Sequence, residues 1–335
     1  MQTEQQQLQS PRPTETRIAP RRPTRALLEA IRPTHWIKNA FVLAPLLFSG
    51  RFMHSWAWVQ ALTAVAAFCM LAGGVYLIND VFDVRRDRTH PVKSQRPIAS
   101  GALSISSAIV SACIFIAVGL AMATWLEIVN YHPSKSLAGY EMLVWTLLYV
   151  IINLAYSAGL KHHAIVNVVI VAFGFVLRAM AGAAAIGAPV SPWLVICTFT
   201  LCLFLALTKR HSEISHLDEQ NAVSARPANR VYFEGFLDHM IAVSSGLAIM
   251  TYTLYCVAPR TIARFGSAHM IWTVPLVVYG MFRYWYISRR HGQGDPISTL
   301  VTDRIMWLVI VVYALMSAAI ITWGGHPSVS RVLDV

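Results

Sequence analysis

The sequence predicts an all-α membrane protein with about nine transmembrane helices. Of its 335 residues, 56% are hydrophobic and only 13% are charged, and the mean hydropathy is +0.52. A soluble core of this size cannot bury so much apolar surface. The composition therefore argues against a soluble enzyme, a disordered chain and a coiled coil.

Nine apolar segments recur along the chain, and most approach the ~20 residues that an α-helix needs to cross a bilayer. The first segment contains Pro45, and the fifth carries Arg178 within its apolar run. The expected spans cover roughly residues 33–49, 56–79, 103–127, 139–157, 164–185, 191–208, 236–257, 269–288 and 303–323.

The charges between the spans predict their orientation. If the N-terminus is cytoplasmic, 21 of the 27 Lys and Arg residues lie on the inner side and five on the outer side, with Arg178 inside a span. Inner segments of membrane proteins carry such an excess of cations. We expect a multi-pass protein of the plasma (bacterial inner) membrane, with a cytoplasmic N-terminus and active site. Because topology accounts for most of the net charge of +11, we expect no nucleic acid partner.

The chain divides into three parts. Residues 1–30 are rich in Gln, Pro, Thr and Arg and lack an apolar run, which predicts a disordered cytoplasmic tail. Residues 31–325 form the expected transmembrane catalytic domain, and residues 326–335 a short non-cytoplasmic tail. The sequence is compatible with a homo-oligomer but does not indicate one.

The second span ends in the densest group of polar residues in the chain. Asp80, Asp83 and Asp87 share one face if the helix continues, and three carboxylates so close repel one another unless a cation lies among them. A basic loop follows directly, with Arg85, Arg86, Arg88, Lys93 and Arg96. We predict that Asn79, Asp80 and Asp83 hold Mg²⁺ and act in catalysis, while the loop neutralises a diphosphate. The alternative is a charged loop closed by internal salt bridges.

A second polar cluster joins the fourth and fifth spans and could close over the first. It contains Tyr156 and Lys161, with Arg178 further along the fifth span. A charge inside a span is costly unless it meets an anion or a carboxylate, so Arg178 is a functional candidate. The alternative role for Arg178 is a structural partner of an aspartate such as Asp80.

Three further cations, Lys38 before the first span and Lys209 and Arg210 after the sixth, lie at the predicted cytoplasmic interface. Lys38 and Lys209 are candidate phosphate ligands, and the alternative for all three is a simple role in anchoring and orientation at the headgroup level. Near the last span, Asp303 is predicted to cap a helix.

These motifs together resemble one known family. The segment NDVFDVRRDRTHPVKSQRPIASG at 79–101 resembles the NDxxDxxxD motif of the UbiA superfamily of intramembrane prenyltransferases. Four other segments look like its decaprenyl-phosphate 5-phosphoribosyltransferase branch: RPTHWIKN at 32–39, YSAGLKHHAIVN at 156–167, GFVLRAMAG at 174–182 and FLALTKRHSEI at 204–214. The resemblance covers nearly the whole chain. It implies a helix bundle around a central cavity that is capped by cytoplasmic loops.

The resemblance also implies a reaction. A 5-phosphoribosyl group would pass from phosphoribosyl diphosphate to a polyprenyl (decaprenyl) phosphate with release of diphosphate, as a step towards a lipid-linked pentose (arabinose) donor for cell-envelope glycans. It implies Mg²⁺ as cofactor. The expected substrate-binding residues are Lys38, Arg85, Asp87, Lys93, Arg96, Tyr156, Lys161, Arg178 and Lys209. Asn167 stands where the resemblance leads us to expect an aspartate, which argues against a second acid-bound metal.

Two other functions remain open from the sequence. An aromatic-acceptor polyprenyltransferase of the same superfamily would use the same first motif. A membrane transporter is the alternative of another class, and it predicts acidic residues deep within several spans. In this chain almost every acidic residue lies at the inner end of a span.

Overall fold

The computed structural model describes residues 23–129, 141–215, 234–291 and 303–326, and within these ranges every regular element is a helix. The α-helices are α1 (Pro23–Ala30), α2 (Ala44–Phe48), α3 (Ser55–Phe82), α4 (Val84–Arg88), α5 (Ile105–Val129), α6 (Glu141–Ala158), α7 (Val166–Ala185), α8 (Pro192–Ser215), α9 (Glu234–Val257), α10 (Pro259–Phe265), α11 (Val274–His291) and α12 (Arg304–Trp323). Short 3₁₀ helices cover Arg51–Met53, Lys93–Gln95, Leu160–His162 and His269–Thr273, and a long one covers Pro33–Leu43.

Seven of the described helices are long and apolar enough to cross a membrane: α3, α5, α6, α7, α8, α9 and α12. An eighth span results if α10 and the helical segment from His269, bent by 100° relative to each other, count as one. The first predicted span has another form, because it consists of the 3₁₀ helix Pro33–Leu43 followed by α2. The all-α membrane architecture is confirmed, while the count of nine spans stays a prediction.

Large apolar side chains cover the outer faces of the long helices. Ile114 on α5 is 56% exposed, and Leu308 and Leu315 on α12 are 62% and 66% exposed. In both helices only 17% of the most apolar stretch is buried within the protein. An apolar surface of this extent fits lipid and not water. The chain is therefore a multi-pass membrane protein.

The buried core has two main parts. One lies between α3, α5, α6 and α7, where Phe68, Leu71 and Leu177 are fully buried. The other lies between α8, α9 and α11, around Phe204 and Tyr284. The two parts face each other across a cavity, which is described below.

Glycines bring α3 and α5 close together. A Cβ atom at Gly119 would lie 2.7 Å from Cγ of Leu71, and one at Gly74 would lie 2.9 Å from the carbonyl oxygen of Ala112. Small residues at helix contacts are typical of membrane bundles, where close packing holds the helices together. The close approach of α5 supports α3, which carries the acidic motif.

Helix α1 lies within the segment that was expected to be a disordered tail. Ala26 and Ala30, one turn apart, are buried against a cluster that includes Leu77 and Ile98. Two small residues are enough to dock so short a helix, although they form no apolar run in the sequence. The expectation of disorder is therefore wrong for residues 23–30, whereas residues 1–22 and 327–335 lie outside the described residues.

Candidate functional site

A cavity of about 430 Å³ opens between the two parts of the core, at the end of the bundle that carries the acidic motif. We call this end the polar end. Among the residues that the structure describes, five cationic side chains and one carboxylate line the cavity: Arg32, Lys38, Lys161, Lys209, Arg210 and Glu213. Much of the remaining lining is apolar, with Phe41, Val75, Val168, Val171, Phe175, Leu205, Trp307 and Ile310. The cavity thus combines a cationic part, called its mouth, with an apolar part.

One wall of the cavity is a column of residues spaced by three. Arg32, His35, Lys38 and Phe41 all line the cavity, and the last three belong to the 3₁₀ helix Pro33–Leu43. A 3₁₀ helix has three residues per turn, so side chains at this spacing lie directly above one another. These four residues form the cavity column, which runs from Arg32 through His35 and Lys38 to the ring of Phe41.

Arg32 stands at the start of this column in an unusual conformation. Its φ of 52° places a non-glycine residue in the left-handed region, which costs about 1 kcal/mol or more. Its guanidinium donates to Asp80 Oδ1 at 2.5 Å and lies 5.2 Å from the centre of the Tyr76 ring. These contacts offset the strain and hold α1 against the end of α3.

The acidic motif divides into two groups. Helix α3 ends at Phe82, but the backbone remains nearly helical, because the Asp83 amide donates to the Asn79 carbonyl (3.0 Å) and the Asp87 amide to the Asp83 carbonyl (2.8 Å). Asn79 and Asp83, four residues apart, contact one cation, whereas Asp80 and Asp87, seven apart, contact another. The three carboxylates expected to share one site therefore lie on two neighbouring stripes of the helix.

Lys161 is the cation of the first group. Its Nζ lies 2.6 Å from Asp83 Oδ1 and 3.3 Å from Asn79 Oδ1, and the whole residue is 4% exposed. Asn79 and Lys161 both line the cavity. Two oxygen atoms of types that suit Mg²⁺ therefore converge at the cavity wall on a point that an ammonium group occupies.

Arg96 is the cation of the second group. Its Nη1 donates to Asp87 Oδ2 at 2.7 Å and lies 3.3 Å from Asp80 Oδ1, the oxygen that also accepts from Arg32. Asp80 and Asp87 are both buried. The second group therefore joins the motif, the basic loop and the start of the cavity column.

Much of the basic loop is held by contacts within itself. Arg88 Nε donates to the Ala99 carbonyl at 3.3 Å, and the backbone amides of Val92 and Lys93 donate to Nδ1 of His90. Burial and the nearby Lys93 lower the pKa of His90, in agreement with a neutral ring that accepts hydrogen bonds. Arg85, Asp87, Lys93 and Arg96 are not among the residues that line the cavity.

The segment that carries Lys161 is strained where α7 begins. Ile165 has a φ of 63° and a ψ of −53°, and the Val166 amide donates to the Ala164 carbonyl at 2.6 Å. A β-branched residue rarely adopts this tight turn, and such strain concentrates at functional sites. The turn directs the Lys161 segment back over the end of α3.

Arg178 lies deeper than the cavity wall. Its Nε donates to Asn39 Oδ1, its Nη1 to the Gly174 carbonyl and its Nη2 to the Tyr149 hydroxyl, each at 2.9 Å. No carboxylate pairs with it in the described part of the chain. The alternative in which Arg178 is the partner of Asp80 is therefore wrong, because Asp80 accepts from Arg32 and Arg96.

The second part of the core closes the polar end with ion pairs. Arg283 Nη2 donates to Asp303 Oδ2 at 2.8 Å, and Asp303 Oδ1 accepts from the Met306 amide as the N-cap of α12, as predicted. Burial raises the pKa of Asp303, but these hydrogen bonds outweigh it and the net pKa is lowered. Arg210 pairs with Glu213 on the cavity wall. Asp295, an acid of the last inner loop, lies outside the described residues.

The structure brings together part of the predicted site. Five of the predicted residues line the cavity: Lys38, Asn79, Tyr156, Lys161 and Lys209. Asp83 and Asp80 lie one contact behind it, through Lys161 and Arg32. The predicted site residues did not include Arg32, His35, Asn153 and Ser157, which also line the cavity, and Arg210 was predicted only as a cation of the same interface. The spacing of three residues from Arg32 to Phe41 matches the period of a 3₁₀ helix, and it is the sequence signal that points to Arg32 and His35.

Similar proteins agree with this architecture. The model of the UbiA prenyltransferase family matches residues 40–311. A decaprenyl-phosphate phosphoribosyltransferase of Mycolicibacterium smegmatis is 30% identical over 298 residues, which cover 86% of this chain and 89% of the relative. The protein of the same name from Mycobacterium tuberculosis is 29% identical over 303 residues, which cover 89% of this chain and 95% of the relative.

A solved structure shares the fold. A UbiA homolog from Archaeoglobus fulgidus bound to GPP and Mg²⁺ superposes with a TM-score of 0.63 at 19% identity, covering 89% of this chain and 99% of the other. At this identity the likeness supports the fold alone.

Proposed function

The chain belongs to the UbiA prenyltransferase family, and from this premise we propose that it transfers a 5-phosphoribosyl group from phosphoribosyl diphosphate to a polyprenyl phosphate. Diphosphate is released, and the phosphoribosyl lipid serves as a precursor of a lipid-linked pentose donor. The names of the relatives support the proposal, since proteins about 30% identical over most of their length are decaprenyl-phosphate phosphoribosyltransferases.

The five cations around one cavity are the observation that carries the proposal. Phosphoribosyl transfer brings together a diphosphate, a sugar 5-phosphate and a lipid phosphate, whereas aromatic prenylation brings one diphosphate and a nearly neutral ring. Three anionic groups require more positive charge than one does. Of the described residues that line the cavity, Glu213 alone is a carboxylate, and it is paired with Arg210. Behind the wall, Asp80 contacts Arg32 and Asp83 contacts Lys161.

The apolar part of the cavity suits the other half of the lipid. Phe41, Phe175 and Trp307 line the cavity together with the cations, and apolar walls of this kind bind long hydrocarbon chains. The isoprenoid would lie along these walls with its phosphate at the mouth. This placement also explains why such a transferase is built from membrane helices.

The donor atoms present fit Mg²⁺. Asn79 Oδ1 and Asp83 Oδ1 converge on Lys161 beside the cavity. Asp80, on the neighbouring stripe of the helix and held by Arg32 and Arg96, would supply a further carboxylate to the metal. In the described part of the chain no three His, Cys, Asp or Glu side chains form a metal group by themselves. Mg²⁺ commonly takes one or two carboxylates together with substrate phosphate oxygens, so the set Asn79, Asp80 and Asp83 suffices.

The side chains of this chain perform the remaining work by charge and position. A lipid phosphate is anionic at neutral pH, so it can attack the anomeric carbon without a protein base. Lys161, Lys38 and Lys209 would neutralise the phosphate groups and orient the two substrates. When bound, Mg²⁺ supplies Lewis-acid stabilisation of the departing diphosphate. The polar end would face the cytoplasm, as the excess of inner cations indicates.

A transfer assay in reconstituted membranes tests the proposal. Phosphoribosyl diphosphate labelled in the ribose is incubated with the protein, polyprenyl phosphate and Mg²⁺, and the lipid fraction is counted. Label in the lipid, absent from the matched Asp83→Asn protein, is the expected result. Label passing from a polyprenyl diphosphate to an aromatic acid, with none incorporated from phosphoribosyl diphosphate, would instead identify an aromatic prenyltransferase.

A further inference from the structure

The 3₁₀ helix Pro33–Leu43 has a buried face as well as its cavity face. Asn39 and Val42, three residues apart, are its buried residues, each 1% exposed. Ordinary α-helical geometry would turn each successive member of a three-residue series by about 60°, so the cavity column would not stay aligned. Something must therefore hold this long stretch in a 3₁₀ register, because runs longer than three or four residues are uncommon.

Helix α7 contacts the buried face of the 3₁₀ helix at two points, which are one turn apart. At Gly182, an added Cβ would lie 2.0 Å from the carbonyl oxygen of Val42, so only glycine allows the backbones to approach this closely. At Arg178, Nε donates to Asn39 Oδ1 at 2.9 Å. The first contact fixes the distance between the two elements, and the second fixes their register.

The guanidinium of Arg178 is itself rigidly held. The Gly174 carbonyl and the Tyr149 hydroxyl accept its other two described hydrogen bonds, and the rings of Tyr149 and Phe175 lie 4.7 and 5.3 Å from its central carbon. Aromatic faces stabilise a buried cation. Arg178 is 6% exposed, and it is not among the residues that line the cavity.

We propose that Arg178 is a positioning residue, which acts through Asn39 to hold the 3₁₀ register and thereby aligns the cavity column. The residue places Lys38 at the mouth without touching a substrate phosphate. The catalytic part of this inference rests on the proposed function, whereas the structural part, the alignment of the column, does not.

Loss of the contact from either side should have the same effect. Asn39→Leu and Arg178→Gln are each expected to lower kcat/KM by about 10- to 100-fold, since a displacement near 1 Å can cost about that much. The double variant should be no worse than the more impaired single one, because both changes break the same contact. Additive losses would contradict the proposal.

The variant Asn39→Asp separates positioning from direct substrate binding. An aspartate keeps the acceptor for Arg178 Nε and loses only the weak donation to Cys69 Sγ, seen at 3.2 Å. Positioning predicts activity within about threefold of the unchanged protein. If Arg178 bound a phosphate directly, the new carboxylate would neutralise it, and Asn39→Asp would be as damaging as Arg178→Gln.

Tyr149→Phe is the matched control, because it removes one partner of Arg178 that is not on the 3₁₀ helix. It should change kcat/KM by less than about threefold if the contact with Asn39 is the important one. A loss as large as that of Asn39→Leu would overturn the proposed route. Monodisperse elution in detergent verifies that each variant is folded.

A chemical readout tests the alignment without any enzymatic activity. In a protein otherwise free of cysteine, the maleimide reaction rate of Lys38→Cys should change at least several-fold with Arg178→Gln and remain unchanged with Tyr149→Phe. If the labelling behaves so while no phosphoribosyl transfer occurs, the proposed function fails and the positioning stands. If transfer occurs but Arg178→Gln leaves the labelling rate unchanged, the positioning fails alone.

Discussion

Replacing Lys161 with methionine tests the centre of the candidate site. Methionine has nearly the length of lysine but no charge, so the change removes the ammonium that lies 2.6 Å from Asp83 Oδ1 and 3.3 Å from Asn79 Oδ1. Two results are expected together. Transfer from phosphoribosyl diphosphate should fall, while the requirement for Mg²⁺ should not rise.

The size of the first effect follows from the burial of Lys161. The residue is 4% exposed, and loss of a charged partner from so desolvated a place costs ~2–5 kcal/mol. Since ~1.4 kcal/mol corresponds to a factor of ten, kcat/KM should fall by about 30- to 5,000-fold.

The second effect has the opposite sign. In the free protein, the ammonium competes with a metal for the oxygens of Asn79 and Asp83. The Asp83 side chain is 21% exposed, so release of its ion pair is worth only ~1 kcal/mol. The half-saturating Mg²⁺ concentration of Lys161→Met should therefore be equal to or up to about fivefold below that of the unchanged protein.

Initial rates measured over a grid of phosphoribosyl diphosphate and Mg²⁺ concentrations give both quantities. Lys161→Arg is the control, since it keeps the charge and should retain more activity than Lys161→Met. An unchanged kcat/KM would refute the role of Lys161 as a phosphate ligand. A higher Mg²⁺ requirement would refute the assignment of Asn79 and Asp83 as metal ligands that compete with it.

Three further predictions concern the same end of the protein. Asp80→Asn and Asp83→Asn should each abolish transfer in folded protein, because Mg²⁺ loses a charged ligand. Asp303→Asn is the control and should retain most activity, because asparagine caps a helix as well as aspartate does. Equal losses in all three variants would contradict the metal assignment. A single cysteine at Ser94 should be protected from an impermeant reagent added to intact cells and react in opened vesicles; labelling from outside would reverse the topology. The pKa of His90 is lowered in the folded protein, so the neutral ring stabilises the loop above the unfolded pKa of about 6.5, and this stabilisation is lost as the pH falls through the lower folded pKa. Hydrogen exchange of the loop amides, corrected with the rates of the His90→Ala variant, should therefore rise on acidification. Equal exchange in both proteins would disprove the role of His90.

The amino-acid pattern alone predicted most of the membrane architecture. Hydropathy and charge placement depend only on the chemistry of each side chain, so they located the long helices α3, α5 to α9 and α12 without knowledge of their neighbours. The acidic motif was also readable, because Asn79, Asp80 and Asp83 lie within two turns of one another.

Local pattern was less informative where a segment is held by distant contacts. The stretch at 33–49 has the composition of a span, but its first eleven residues form a 3₁₀ helix that packs against α3 and α7. Likewise, Pro23–Ala30 has too few apolar residues to be recognised as a docked helix, although Ala26 and Ala30 are buried. In both cases the packing partner decides the conformation, and the partner is remote in the sequence.

The chemical content of the site can be read from the amino-acid sequence: the carboxylates, the amide, the cations and the membrane end at which they gather. Which of these groups meet depends on the packing of the helices. Lys161 reaches Asn79 across 82 positions of the chain, and Arg178 reaches Asn39 across 139. Asp80 and Asp83 point about 60° apart around the helix axis, on neighbouring stripes, and the surrounding elements give each a different cation. Pairings of this kind depend on how the helices pack against one another, and a one-dimensional pattern of residue types does not contain that information.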